Sequence, residues 1–313
     1  MRYYINPERR KKTINFMDHI VYSHVEDLDG NPLDLELSIM SMSGNSELKA
    51  AAADAKETDK VTSQPVIIWV SGGGYRGVDK NQMIAELQYL AEAGYAVVMV
   101  YYRSSAQGHW PAQIMDVKTA VRFLRAHAKD YLLDADRIGI MGRSAGGHLT
   151  TMAALNLPGY DSEEWSEYSS EVQVAFDMFG PSDTARLLQI EKEKIAADPN
   201  YRWKRLEETH GGALIGGDPE TMIDRAADAS AILQLQKSVH VAPLLIMHGD
   251  ADGLVPSKIS EDYYDALVKA GYEEQTDLYL LRGAGHGTPE FFQPQVREIV
   301  KNFFEEHLGA GEA

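Results

Sequence analysis

Residues 137–148 of the chain read Arg-Ile-Gly-Ile-Met-Gly-Arg-Ser-Ala-Gly-Gly-His. The run begins as a short apolar strand and ends in residues that suit the start of a helix. Between them, residues 142–146 match the pattern Gly-x-Ser-x-Gly. At a strand–turn–helix, this pattern holds its serine in a sharp, strained turn that exposes the hydroxyl, and the small neighbours relieve the crowding. The sequence therefore predicts Ser144 as a nucleophile, against the simpler alternative that Ser144 only caps a helix.

Strand-like and helix-like segments alternate on both sides of this turn. Short apolar runs indicate strands at 66–70, 96–102, 137–142, 172–179, 243–248 and 276–281. Apolar residues at helical spacing indicate helices at 80–93, 112–128, 145–155, 257–270 and 289–307. Because the strands are apolar throughout, the pattern predicts an α/β protein with a mostly parallel central sheet and helices on both faces.

Three parts of the chain depart from this alternation. Residues 18–26 and 33–40 alternate apolar and polar side chains, which predicts an antiparallel edge hairpin with its turn at 30–32. Residues 43–63 are polar and are expected to form an exposed loop or a short helix. Residues 183–238 are helical in character and interrupt the strand order where a cap over an active site could be inserted. The alternative for this insertion is a structural elaboration without substrate contact.

The bulk composition limits the classes of function. With 313 residues, of which 44% are hydrophobic and 25% charged, the chain is expected to form one globular domain over 1–313. The formal net charge of −17 disfavours nucleic acid or an anionic membrane as a partner. The absence of cysteine excludes disulfides, thiolate zinc sites and a cysteine nucleophile. No apolar stretch approaches the roughly 20 residues of a membrane span, and the first ten residues lack a secretory signal, so a cytoplasmic location is expected.

A serine nucleophile needs a base in contact with it and an acid that orients the base. His286 lies in a glycine-rich loop after the last predicted strand, and it is the candidate base. The loop 248–256 offers Asp250 and Asp252 as the acid. Asp252 is preferred because it lies further along the loop, and Asp250 is expected to stabilise the turn through backbone N–H groups. His248 ends a strand and is expected to be a packed, hydrogen-bonded core histidine.

Acyl transfer also needs backbone N–H groups that stabilise the developing oxyanion. The residue after the nucleophile, Ala145, is one expected donor. The glycine-rich loop 71–74 allows close approach of the backbone, and Gly73 and Gly74 are the other expected donors. A phosphate-binding loop is the alternative, but no Gly-Lys-Ser/Thr sequence follows the glycines.

Taken together, these residues resemble the hormone-sensitive-lipase-like and feruloyl/acetyl-esterase-like carboxylesterases of the α/β-hydrolase superfamily, over about residues 60–310. Residues 71–75, Ser-Gly-Gly-Gly-Tyr, are similar to the His-Gly-Gly-Gly loop of that group. Residues 142–148 look like its nucleophile turn and residues 248–256 like its acid loop, in which the acid aligns with Asp252. The resemblance implies an α/β-hydrolase fold with a helical cap.

Two departures from the family pattern bear on the branch. The first loop position is Ser71 rather than His, so the hydrogen bonds that anchor the loop must differ. Residues 102–105, Tyr-Arg-Ser-Ser, differ from the Tyr-Arg-Leu-Ala-Pro common in the lipase-like branch. This points toward the feruloyl/acetyl-esterase-like branch, whose members often act on esters of plant carbohydrates.

The expected activity is therefore hydrolysis of short acyl esters, including acetyl groups on sugars or hydroxycinnamoyl esters. Tyr75, Trp110 and the aromatic side chains of Tyr201 and Trp203 could line the substrate pocket or could be packing residues. The expected partner is a small-molecule ester, no cofactor or metal is needed, and a free sheet edge could pair subunits into a homo-oligomer. The alternatives are a serine peptidase of the oligopeptidase type, for whose extra propeller domain the chain has no room, and a non-catalytic small-molecule-binding protein on the same scaffold.

Overall fold

A computed structural model describes residues 1–5, 13–42, 63–217 and 221–309. In these ranges the strands are β1 (Asn15–Glu26), β2 (Pro32–Ser41), β3 (Gln64–Val70), β4 (Ala96–Val100), β5 (Leu133–Arg143), β6 (Val174–Met178), β7 (Leu244–Gly249) and β8 (Thr276–Leu281). They form one sheet in the order β1-β2-β4-β3-β5-β6-β7-β8. β1 and β2 pair antiparallel at the edge, β2 runs antiparallel to β4, and the remaining neighbours are parallel. The predicted mostly parallel sheet and edge hairpin are thus confirmed.

Helices cover both faces of the sheet. They are α1 (Ile84–Glu92), α2 (Ala112–Ala126), α3 (Ala145–Ala154), α4 (Thr184–Ala197), α5 (His210–Ile215), α6 (Ile223–Asp228), α7 (Ala231–Gln234), α8 (Lys258–Lys269) and α9 (Pro294–Leu308). The predicted helix at 289–307 is divided into a 3-10 turn, Pro289–Phe292, and α9. Pro294 explains the division, because its fixed φ and missing N–H suit the first turn of a new helix. No helix in the described ranges has the length and apolar character needed to cross a bilayer.

The alternating side chains of β3 show why its sequence is apolar without interruption. Val66, Ile68 and Val70 pack into one core with residues of α2, α3 and α8. Ile67 and Trp69 point to the opposite face and pack into a second core with residues of α1 and α9. All seven residues of β3 are buried, as expected for a central strand covered on both sides.

Three segments outside the regular alternation were also predicted. Between β6 and β7 lie α4 to α7, in the place where residues 183–238 were expected to form a helical insertion. The edge hairpin turns at 27–31, where the Asp27 carboxylate accepts hydrogen bonds from the backbone N–H groups of Asp29 and Asn31, both at 2.9 Å. The segment expected as an exposed loop, 43–63, lies outside the described residues except for its last position.

Candidate active site

Ser144 lies in a strained turn between β5 and α3. Its backbone has φ 53° and ψ −120°, a region that costs a non-glycine residue about 1–3 kcal/mol. A Cβ on Gly142 would lie 2.4 Å from the Gly146 carbonyl oxygen, and one on Gly146 would lie 2.0 Å from that of Val70. Only glycine at these positions lets α3 close onto the sheet with Ser144 at its N-terminus.

His286 connects Ser144 with Asp252. Its Nε2 is 2.9 Å from Ser144 Oγ, and its Nδ1 is 2.6 Å from Asp252 Oδ2. Since a carboxylate oxygen only accepts, Nδ1 carries the proton and Nε2 is left to accept the serine hydroxyl. The three side chains come from the β5–α3 turn, the loop after β7 and the loop after β8, which meet at the carboxyl end of the parallel strands.

A second histidine holds the same carboxylate. His248 Nε2 lies 3.3 Å from Asp252 Oδ2 and 2.9 Å from the Val255 carbonyl oxygen, while its Nδ1 is 2.7 Å from Ser260 Oγ. Burial of Asp252 raises its pKa, but the hydrogen bonds with His248 and His286 outweigh burial and hold the pKa well below the usual range. The carboxylate therefore stays ionised. His248 is fully buried, as expected for a packed core histidine.

The competing carboxylate, Asp250, has a different role in the structure. It is exposed, and its Oδ1 accepts a hydrogen bond of 2.6 Å from the backbone N–H of Gly283. This contact ties the loop after β7 to the loop after β8. The structure thus brings Asp252, and not Asp250, into contact with His286.

The glycine loop 71–74 lies against Ser144. A Cβ on Gly72 would be 3.2 Å from Ser144 Cβ, so Gly72, which was not among the expected donors, lies directly against the serine. Gly74 lines the pocket beside Ser144 together with Ala145, and Gly73 has a φ of 134°. The hydroxyl of Tyr102 donates to the Ser71 carbonyl oxygen at 2.9 Å. This hydrogen bond anchors the loop that departs from the family pattern at its first residue.

A small pocket opens beside Ser144. Its cavity volume is about 30 Å³, room for about two water molecules. It is lined by Gly74, Tyr75, Ser144, Ala145, Pro181, Leu187, Glu191, His210, Gly211, Leu254 and Val255. Tyr75 therefore lies where a substrate contact was expected, and the insertion contributes the wall formed by α4 and α5.

Trp110 does not line this pocket, contrary to the expected substrate contact. Its side chain is 2% exposed and its Nε1 donates to Asp228 Oδ2 at 2.8 Å. The ring packs against His148 at 5.3 Å between centroids, and burial lowers the pKa of His148 to about 4. Trp110 thus packs behind Ser144, and its indole N–H is satisfied by the carboxylate of Asp228 in the insertion.

Tyr201 and Trp203, the aromatic residues of the insertion, do not line the pocket but contact side chains that do. Tyr201 donates its hydroxyl to Glu191 Oε2 at 2.9 Å, and Trp203 packs edge-on against His210. Glu191 and His210 are the ones that reach the pocket. Sequence reasoning missed both, since no motif distinguishes them within the insertion, and only the return of α4 and α5 over the sheet brings them to Ser144.

Comparison with known proteins identifies the family of this chain. The BD-FAE family model matches residues 55–267, more than half of the chain. The chain belongs to the BD-FAE family, and its fold is the α/β-hydrolase fold. The family match agrees with the family resemblance inferred from the sequences of the glycine loop, the nucleophile turn and the acid loop.

Individual relatives of this BD-FAE protein are named as esterases. The probable carboxylic ester hydrolase LipM of Mycobacterium tuberculosis is 31% identical over 67% of this chain and 46% of its own length. The chain spans about half the length of the curated relatives that it matches. A truncated carbohydrate esterase from gut microbiota is 27% identical, with a TM-score of 0.72 over 96% of this chain and 98% of that one. Thermogutta terrifontis esterase 2 shares the fold at a TM-score of 0.67 and 21% identity, over 98% of both chains.

Proposed function

We propose that this BD-FAE protein is a serine carboxylic-ester hydrolase for short acyl esters, with acetyl esters of carbohydrates as its substrates. The observation that carries the proposal is the single histidine that bridges Ser144 Oγ at 2.9 Å and Asp252 Oδ2 at 2.6 Å. The names of its relatives, a carboxylic ester hydrolase and a carbohydrate esterase, support the same reaction.

The reaction follows from the proton positions. His286 Nε2 takes the proton of the Ser144 hydroxyl as Oγ attacks the ester carbonyl carbon. Asp252 stabilises the imidazolium that forms and remains ionised. Backbone N–H groups of Gly73, Gly74 and Ala145 are the proposed donors to the oxyanion, each worth roughly 3–4 kcal/mol of transition-state stabilisation.

Collapse of the tetrahedral intermediate breaks the bond to the alcohol oxygen, which takes the proton from His286. The acyl group is left on Ser144 Oγ. Water then gives its proton to His286 and attacks the acyl-enzyme, and the carboxylic acid leaves as the serine regains its hydrogen. The chain supplies every group needed for both halves of the reaction.

Pocket size supports a short acyl group. The pocket beside Ser144 contains the proposed oxyanion donors Gly74 and Ala145, and its cavity volume is only about 30 Å³. A small pocket favours an acetyl group over the bulkier hydroxycinnamoyl group. Acetyl esters are therefore preferred over the hydroxycinnamoyl esters that the family resemblance equally implies.

The test compares wild type and Ser144→Ala on p-nitrophenyl acetate, butyrate and octanoate, methyl ferulate and acetylated xylo-oligosaccharide. We expect kcat/KM to fall with acyl length in the wild type, and kcat to fall by roughly 10⁴- to 10⁶-fold in the variant. Ser257→Ala, in the nearby loop before α8, is the matched control and keeps near-normal rates. Equal residual rates in wild type and Ser144→Ala would overturn the proposal in favour of a binding protein, and turnover of amides alone would favour a peptidase.

A further inference from the structure

Arg143, the residue before the nucleophile, carries a cation without a carboxylate partner. In the described part of the chain, no hydrogen bond or ion pair is made by its guanidinium, and its Nε is buried without an acceptor. Its close contact is with the ring of Phe179, whose centroid is 5.9 Å from the guanidinium carbon. Arg103, by contrast, is paired with Asp116 at 2.7 Å. A partly buried, unpaired cation costs free energy that a ligand anion would recover.

Gly287 and Phe179 lie close to both the Arg143 guanidinium and His286, and they define the position of one relative to the other. A Cβ on Gly287, the residue after His286, would lie 3.2 Å from Arg143 Nη2 and 3.5 Å from Phe179 Cζ. The rings of Phe179 and His286 are themselves 4.7 Å apart between centroids. The guanidinium therefore lies on the His286 side of the nucleophile.

That side receives the alcohol half of an ester. His286 must give its proton to the leaving oxygen, so the alcohol has to lie next to the imidazole. The small pocket beside Ser144 includes neither Arg143 nor His286 in its lining. The two halves of the substrate thus meet different surroundings, largely apolar around the acyl group and cationic around the alcohol.

The nearby carboxylates are already engaged elsewhere. Asp252 bonds both His248 and His286, and Glu191 accepts the hydroxyl of Tyr201 from the opposite wall. The chain as a whole is acidic, with a formal net charge of −17. The unpaired guanidinium of Arg143 beside His286 is thus a positive group in an otherwise acidic protein. Guanidinium groups bind carboxylates through two parallel N–H donors, which gives both affinity and orientation.

We propose that Arg143 binds a carboxylate on the alcohol half of the substrate. The preferred ester is then an acylated hydroxy acid, a class that includes acetylated sugar acids, rather than an ester of a neutral alcohol. This inference rests on the proposed esterase function, since it assigns the alcohol side of the same site.

The test uses two esters that differ only in this charge, 4-acetoxybenzoate and its methyl ester. The measured quantity is the ratio of their kcat/KM values in wild type, Arg143→Gln and Arg143→Lys. We expect the ratio to favour the carboxylate in the wild type, and to fall by about 10- to 100-fold in Arg143→Gln. Arg143→Lys should retain part of the preference, because it keeps the charge but loses the fork of donors.

Arg186→Gln removes one exposed positive charge from α4 and is the matched control for the change in net charge, so its ratio should equal that of the wild type. A ratio that is the same in wild type and Arg143→Gln overturns the inference, as does an equal loss of rate on both esters. If the wild type hydrolyses both esters through Ser144 without preference, only this inference fails. If it hydrolyses neither, the proposed function fails with it.

Discussion

Asp250 and Asp252 lie two residues apart on one loop and have separate contacts. Asp252 Oδ2 meets His286 Nδ1, whereas Asp250 Oδ1 accepts the backbone N–H of Gly283. Asp252 also accepts the backbone N–H groups of Leu254 and Val255 at 2.8 and 3.0 Å through Oδ1. The orientation of its carboxylate is therefore set by its own loop, before the histidine adds its contact.

We expect Asp252→Asn to lower kcat by about 10⁴-fold, because an amide can hold His286 in the tautomer that no longer accepts the serine proton. Asp250→Asn keeps an acceptor for Gly283 and should lower kcat by less than about tenfold. Steady-state kinetics on p-nitrophenyl acetate measure both. A larger loss in Asp250→Asn than in Asp252→Asn would contradict the assignment of the acid.

Asp177 is a second buried carboxyl, on β6 behind the nucleophile turn. Its side chain is fully buried, Oδ1 accepts the backbone N–H of Gly180 at 2.9 Å, and Oδ2 has no partner among the described residues. Burial raises the pKa of Asp177 to about 7, although the nearby His248 lowers it. The folded state therefore binds this proton more tightly than the unfolded state, in which the pKa is about 3.9.

The consequence is that the contribution of Asp177 to stability declines as pH rises. Between about pH 4 and pH 7 the folded state holds more protons at Asp177 than the unfolded state, so the Asp177 contribution to the free energy of unfolding falls across this window. Asp177→Asn cannot ionise, and it should remove this fall, which amounts to at most about 4 kcal/mol. Urea unfolding at pH 5 and pH 8 measures the difference. Asp277→Asn, exposed on β8, is the control, and an unchanged pH dependence in Asp177→Asn would contradict the argument.

At the scale of elements, α4 determines the depth of the pocket beside Ser144. Leu187 and Glu191, one turn apart on α4, both line the pocket. Leu188 faces away and packs with Ile215 and Ala226 in a separate apolar cluster. Leu187 and Leu188 are adjacent on one helix but have different surroundings, since Leu187 lines the pocket and Leu188 packs within the insertion.

We expect Leu187→Ala to raise the ratio of kcat/KM for p-nitrophenyl octanoate over acetate by about tenfold, because removing three carbon atoms makes room for a longer acyl chain. Leu188→Ala removes the same atoms from the other face and should leave the ratio unchanged, whatever it costs in stability. If both variants shift the ratio equally, looser packing of the insertion explains the effect, and Leu187 does not limit the length of the acyl chain.

At the scale of the whole molecule, the charge is strongly unbalanced. The chain has 47 acidic against 30 basic side chains, a formal net charge of −17. Mutual repulsion among these charges opposes the compact state, and added salt screens it, since the Debye length falls from about 30 Å at 0.01 M to about 8 Å at 0.15 M.

We therefore expect NaCl between 0.01 and 0.2 M to raise the free energy of unfolding by on the order of 1 kcal/mol, or roughly 2 °C in Tm. Thermal unfolding at pH 8, followed by circular dichroism, measures the change, and KCl at equal concentration is the control for ion-specific effects. A Tm that falls with salt would mean that local ion pairs outweigh the repulsion.

Most of the architecture could be predicted because it depends on local patterns. Uninterrupted apolar runs predicted the buried parallel strands, and alternation predicted the edge hairpin, since a strand buried on two faces and one buried on one face need different side-chain periods. The Gly-x-Ser-x-Gly pattern predicted the strained turn at Ser144, which requires small residues wherever the chain approaches itself. Chain order predicted which loops carry Asp252 and His286.

The pocket beside Ser144 could not be predicted in the same way. Glu191, His210 and Leu187 reach Ser144 only because the insertion folds back over the sheet, and no periodicity encodes where a helix returns. Trp110 was expected in the pocket, but its hydrogen bond to the half-buried Asp228 holds it in the packing behind the site. The chain itself determined the sheet and the order of the reacting groups, because both follow from neighbours in sequence. Tertiary packing alone decided which side chains surround Ser144 and left Arg143 without a partner beside His286, because these arrangements join residues far apart in the chain.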